Sequence, residues 1–187
     1  MNNYCVDLNL PFSLFKENVD PIALLKSNPR FAGHFNISSM LLNKEIIKLF
    51  NGLGLTIFLV EVFYRTPNSS GNIHSDLDKP GDYSKLNWIF GGEGSIMNWY
   101  NTNSNYVSAS TNTTAIKSYA LYYKDAEVDL IHTQVVGQPS LVQVGIPHKV
   151  INSNLERLCV SVVFRYTDTN IRPTFNEALE LFKDYIR

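Results

Sequence analysis

RLCVSVVFR, residues 157–165, is the most regular alternation in this chain. Successive side chains of an extended segment point to opposite faces, so Leu158, Val160, Val162 and Phe164 share one side while Arg157, Cys159, Ser161, Val163 and Arg165 share the other. The first side is wholly apolar and predicts a strand packed against helices. The second is small and polar, and it must line an interior between two sheets. An arginine on that side needs an anion, because an unpaired buried charge costs on the order of several kcal/mol.

Strand-like segments of the same kind recur on the N-terminal side. TIFLVEVFYR at 56–65 is β-branched and aromatic, and it ends at Thr66-Pro67 with turn residues 68–71. Further strands are expected at 85–90, 95–100, 118–123, 129–136 and 141–146, most of them separated by Gly, Pro, Asn or Asp. About seven short strands with no helices between them predict an antiparallel sandwich or barrel, not βαβ units. Helical signals lie at the two ends. Asp20 before Pro21 is an N-cap with proline at the first helical position. A second helix is expected from Ser38 or Ser39 to Gly52, with Met40, Leu41, Ile46, Ile47 and Phe50 on one face. A final helix over 174–186 follows Pro173, with Phe175, Leu179 and Phe182 aligned. The organisation predicted is a single domain over 1–187, with helical support at 1–54, a β core at 55–166 and a C-terminal helix at 174–187.

Composition narrows the function. Of the 187 residues 44% are hydrophobic and 12% aromatic, as in a packed globular chain, and 16 basic against 17 acidic residues leave a net charge of -1. Without a basic surface, nucleic acid is a poor partner. The N-terminus lacks a signal-peptide pattern and no apolar run reaches bilayer length, so the expectation is a cytoplasmic protein with no membrane partner. Cys5 and Cys159 lie far apart without CxxC spacing and read as unpaired, partly buried thiols.

His74-Ser75-Asp76 carries the chemistry. If this triplet ends a strand, the period of two puts both side chains on one face, within reach of a single ion. One more histidine would complete a two-histidine, one-carboxylate face with three open positions, the arrangement of non-haem iron(II) oxygenases. Of His34, His132 and His148, only His148 has a suitable setting: LVQVGIPHKVIN runs a strand into a Gly-Ile-Pro turn and then presents the imidazole. His34 reads as a surface residue and His132 as an ordinary strand residue.

HSD, the strand KLNWIFGG, VGIPHKVIN and RLCVSVVF, in that order, resemble the iron(II)- and 2-oxoglutarate-dependent oxygenases with a double-stranded β-helix, or jelly-roll, core. The resemblance covers roughly residues 55–166. It implies Fe(II) held by His74, Asp76 and His148, with 2-oxoglutarate as cosubstrate and dioxygen as oxidant. Arg157, nine residues after His148, would take the far carboxylate of 2-oxoglutarate. Asn87 shares the parity of Lys85 and Ile89, and on an inward face its amide would hydrogen-bond the same cosubstrate. Arg165 lies about 26 Å along the strand from Arg157 at roughly 3.3 Å per residue, so only one of them can serve. The activity implied is hydroxylation of a small molecule, an amino acid or a peptide side chain. Two alternatives share the barrel: a cupin-like metalloenzyme that does not use 2-oxoglutarate, and a non-catalytic jelly-roll binding or structural protein. The Asn/Ser/Thr-rich stretch 101–114 has almost nothing apolar with which to pack, and it is expected to be a loop over the barrel mouth or a surface insertion.

Overall fold

Two six-stranded antiparallel sheets face each other in a computed structural model of the chain. The structure describes residues 4–21, 23, 34–76, 82–102, 108–111, 119–137 and 139–187. In chain order the strands are β1 (Cys5–Asp7), β2 (His34–Asn36), β3 (Leu55–Arg65), β4 (His74–Asp76), β5 (Ser84–Gly91) and β6 (Ile96–Thr102), then β7 (Ser108–Thr111), β8 (Tyr119–Tyr122), β9 (Val128–Val135), β10 (Ser140–Gln143), β11 (His148–Ile151) and β12 (Arg157–Tyr166). The first sheet runs β1-β10-β5-β12-β3-β2 and the second β7-β8-β4-β11-β6-β9.

The order of pairing defines the fold. Strands β3, β5, β10 and β12 lie in the first sheet and β4, β6, β9 and β11 in the second, so the chain crosses between sheets at almost every step. The pairs are nested: β3 with β12, β4 with β11, β5 with β10 and β6 with β9. A long antiparallel hairpin rolled on itself produces that nesting, which is a double-stranded β-helix, or jelly roll. The expected fold class is therefore the observed one.

The apolar face of β12 packs as its alternation requires. Leu158, Val160, Val162 and Phe164 join Val60, Val62, Leu86, Trp88 and Leu141 on the outer side of the first sheet, beneath helices α1 (Lys44–Gly52) and α2 (Phe175–Leu181). Ile46, Leu49 and Phe50 come down from α1, and Phe175 and Ala178 from α2. Phe50, Phe164 and Phe182 form a cluster of tilted and edge-on rings with centroids 5.5 to 5.9 Å apart. Each such ring contributes about 1.5–3 kcal/mol by leaving water, and the contact geometry adds more. Asn43 caps α1 by accepting from the Glu45 amide, and Thr174 with Glu177 forms a capping box on α2.

Several boundaries differ from the sequence reading. The helix expected from Ser38 or Ser39 is a single 3-10 turn at Ser39–Leu41, and α1 begins only at Lys44. The C-terminal helix stops at Leu181 and finishes as a 3-10 turn, Lys183–Tyr185. The helix expected after Asp20 lies almost wholly outside the described residues. The described residues form twelve strands where about seven are expected: β1, β2, β4, β7 and β11 are three or four residues long, too short to show a period of their own. Within 101–114 the residues 101–102 finish β6 and 108–111 form β7, so that stretch is not one continuous loop. The remainder of that stretch lies outside the described residues. No helix among the described residues is long and apolar enough to cross a membrane.

Candidate metal centre

Strand β11 runs between β4 and β6, and His148 stands in register with His74 on one side and Trp99 on the other. Cross-strand neighbours point the same way, so both imidazoles face the space between the sheets. Their centroids lie 4.4 Å apart. Asp76, two residues along β4 from His74, emerges on the same face. One ligand atom from each of His74, Asp76 and His148 falls within 4.8 Å of the others, a group able to hold a metal ion.

Backbone carbonyls orient both imidazoles. His74 Nδ1–H donates to Asn72 O at 2.9 Å, and His148 Nδ1–H donates to Ile146 O at 2.9 Å. A carbonyl only accepts, so Nδ1 carries a proton and Nε2 is the ring nitrogen that can serve as a ligand atom. His74 Nε2 lies 3.5 Å from Asp76 Oδ1. Neutral imidazole suits metal binding, and at His148 burial first and His74 second push the pKa down to about 4.

The other carboxylate oxygen is held by an unexpected partner. Lys85 Nζ lies 2.5 Å from Asp76 Oδ2 and 2.5 Å from Glu61 Oε2, with the lysine and glutamate side chains nearly inaccessible. Lys85 and Glu61 project inward from β5 and β3, so the ion network joins the two sheets across the core. Burial alone would raise the Asp76 carboxyl; the Lys85 ammonium, with His148 and His74, outweighs it and holds the group well below the usual carboxylate range. Burial likewise opposes the charge on Lys85, and Asp76 and Glu61 reverse that effect and raise its pKa.

The remaining expected residues are placed as follows. Asn87 is buried on the inner face two residues from Lys85, and its Oδ1 accepts from the Ser161 hydroxyl at 2.6 Å. Arg157 is 4% exposed, lies against the Cys159 thiol, and its Nε finds no hydrogen-bond partner. Arg165, at the far end of β12, stacks on Phe58 at 3.5 Å and donates to Asn170. His132 sits in β9 with its ring 5.4 Å from Tyr4 and 5.6 Å from Trp99, outside the triad. His34 lies in β2, paired with Phe63. Cys5 and Cys159 are both free and buried.

Sequence reasoning missed Glu61 and Lys85 as a unit. The signals were there: Glu61 is the one acid inside an apolar strand, and Lys85 shares the inward parity of Asn87. Their pairing with Asp76 depends on which strands meet.

No protein-family model matches the chain, and no curated protein does either. Among solved structures it is similar to Peruvianin-I, a cysteine peptidase from Thevetia peruviana latex, at 15% identity over 87% of this chain and 89% of that one, with a TM-score of 0.31. It is also similar to the vicilin from Solanum melongena at 10% identity, covering 88% of this chain and 45% of that one, with a TM-score of 0.33. Likenesses this distant carry no functional information. The strand order defines a jelly roll, and the triad defines its candidate metal centre.

Proposed function

We propose that this chain is an iron(II)- and 2-oxoglutarate-dependent oxygenase that hydroxylates a small molecule, an amino acid or a peptide side chain. One observation carries the reading: two imidazoles and one carboxylate oxygen converge in the same interior as a buried arginine that has no acid partner among the described residues. The donor set suits iron(II), being two imidazoles and one carboxylate, a set that fills three coordination positions. Bound there with 2-oxoglutarate, iron(II) would supply the dioxygen chemistry that side chains lack.

The chain's own residues bind, orient and shield. His74 and His148 offer lone pairs fixed by their carbonyl contacts, and Asp76 offers Oδ1 while Lys85 retains Oδ2. Arg157 provides a planar fork for the remote carboxylate of the cosubstrate. Met97, Trp99, Val142 and Val144, with Ile89 and Val150 beside them, form an apolar wall that keeps water from the interior. A cupin-like metal protein would share the barrel and the triad but would have no use for an interior arginine.

Anaerobic titration with iron(II) and then 2-oxoglutarate tests this reading. The expected result is a weak visible charge-transfer band that needs both additions and disappears in His148→Ala. A protein that binds iron(II) but develops no band with 2-oxoglutarate would favour the cupin-like alternative.

A further inference from the structure

Arg65 and Arg157 stand directly opposite each other in the β3–β12 ladder. Residues so placed share a face, with Cβ atoms roughly 5 Å apart, and like charges there are destabilising. The face is the barrel interior, shared with Glu61, Phe63, Cys159 and Ser161. Arg157 is buried and Arg65 half-buried, so water screens the repulsion poorly.

Among the described residues no acid relieves it. Glu61 and Asp76 are taken by Lys85, and Glu156, next to Arg157 in sequence, accepts from Tyr64. Neither arginine has an ion-pair partner among the described residues, and Arg157 Nε has no hydrogen-bond partner. Two glycines make the pairing sterically feasible. A Cβ at Gly92 would lie 2.5 Å from Arg157 Cβ, and one at Gly71 would lie 2.9 Å from Arg65 Nη2. Tyr122 links this end of the barrel to the triad: Arg65 is within electrostatic reach of it, and its ring is 6.0 Å from that of His74.

We infer that Arg65 and Arg157 together form one anion clamp, and that Arg65 is a second binding residue for the carboxylate of a dicarboxylate whose other end reaches the metal triad. The clamp itself stands on the arginine pair; only the identity of its ligand rests on the oxygenase reading. Two guanidiniums favour a fully ionised group and exclude its neutral ester or amide.

Thermal unfolding and calorimetric titration of the full chain, metal-free and Mn(II)-loaded, in low-salt HEPES buffer test the inference. The probes are 2-oxoglutarate, succinate, 2-oxobutyrate and inorganic phosphate. The expected result is that Arg65→Met and Arg157→Met each weaken dicarboxylate binding about tenfold or more, in line with losing a charge-assisted hydrogen bond. Binding of the monoacid 2-oxobutyrate should be unaffected. In buffer without these anions Arg65→Met should unfold no lower than wild type, since it removes a repulsion; a residue with only a structural role would lower the midpoint. If no dicarboxylate binds wild type but phosphate raises its midpoint in a manner lost in both variants, the clamp stands and the oxygenase reading fails. Anion binding in Arg65→Met equal to wild type, or a lowered midpoint without anions, overturns the clamp.

Discussion

Lys85 holds Oδ2 of Asp76 at 2.5 Å while Oδ1 of the same carboxylate faces His74 Nε2 at 3.5 Å. The two oxygens therefore have different surroundings, one paired with the Lys85 ammonium and the other turned toward the candidate metal site. Removing the lysine would take away the ammonium that both buried carboxylates, Asp76 and Glu61, contact directly. Breaking a buried pair in this way costs about 3–5 kcal/mol. Lys85→Met is expected to lose that much stability in urea titrations with chelator present, and Lys85→Met with Glu61→Gln should recover part of it. Mn(II) should raise the unfolding midpoint of Lys85→Met more than that of wild type, because the ion replaces the lost positive charge. Equal shifts would separate Lys85 from the metal site.

In the proposed centre each triad residue would supply one of three protein ligands. His74→Ala, Asp76→Ala and His148→Ala are each expected to weaken iron(II) or Mn(II) binding by more than the 10–100-fold typical of outer partners. His132→Ala serves as the control, since its ring packs against Tyr4 and Trp99 and not at the triad. A comparable loss of metal affinity in His132→Ala would displace His148 from the assignment.

Stability should fall on mild acidification of the metal-free protein. The buried His148 has its pKa lowered from 6.5 to about 4, so between those values the unfolded chain binds a proton that the folded chain resists. The contribution is fully present above pH ~6.5 and is lost as pH falls toward ~4, roughly 3 kcal/mol in all by linkage. Asp76 acts in a lower window, because its pKa is depressed below the ordinary carboxylate value and its stabilisation survives until more acidic pH. Urea midpoints measured from pH 7 to 4.5 should fall steeply for wild type and less for His148→Gln. Parallel curves would mean that His148 does not set this dependence.

Gly92 has φ of +68°, and an added Cβ would meet the Arg157 side chain at 2.5 Å. Gly92→Ala is therefore strained by its backbone, at about 1–3 kcal/mol, and displaces the arginine stem as well. The expected outcome is a lower unfolding midpoint together with weakened dicarboxylate binding, while metal affinity stays near wild type. Unchanged dicarboxylate binding in Gly92→Ala would show that the position of the Arg157 stem is not critical.

The β12 alternation determined a great deal without any structure. Its strict period of two, between turn-rich flanks, placed Leu158, Val160, Val162 and Phe164 on the helix-covered face and Arg157 inside, because a one-residue slip would have put an arginine and a serine beneath the helices and turned the apolar set to the interior. The spacing of His74 and Asp76 and the Gly-Ile-Pro turn before His148 likewise marked the three residues that come together. These signals are local: they depend on period, turn chemistry and residue type within a few positions.

Only the tertiary structure decided what lies opposite what. The short strands β4 and β11 have too few residues to show a period, and they exist because their neighbours supply ladder partners. Lys85 with Asp76 and Glu61, and Arg65 with Arg157, are relationships between strands distant in sequence. Their register follows from how the long hairpin rolls, which is set by packing over the whole sheet. A charged residue inside an apolar strand announces in sequence that it needs a partner, but the identity of that partner is settled only when the sheets close.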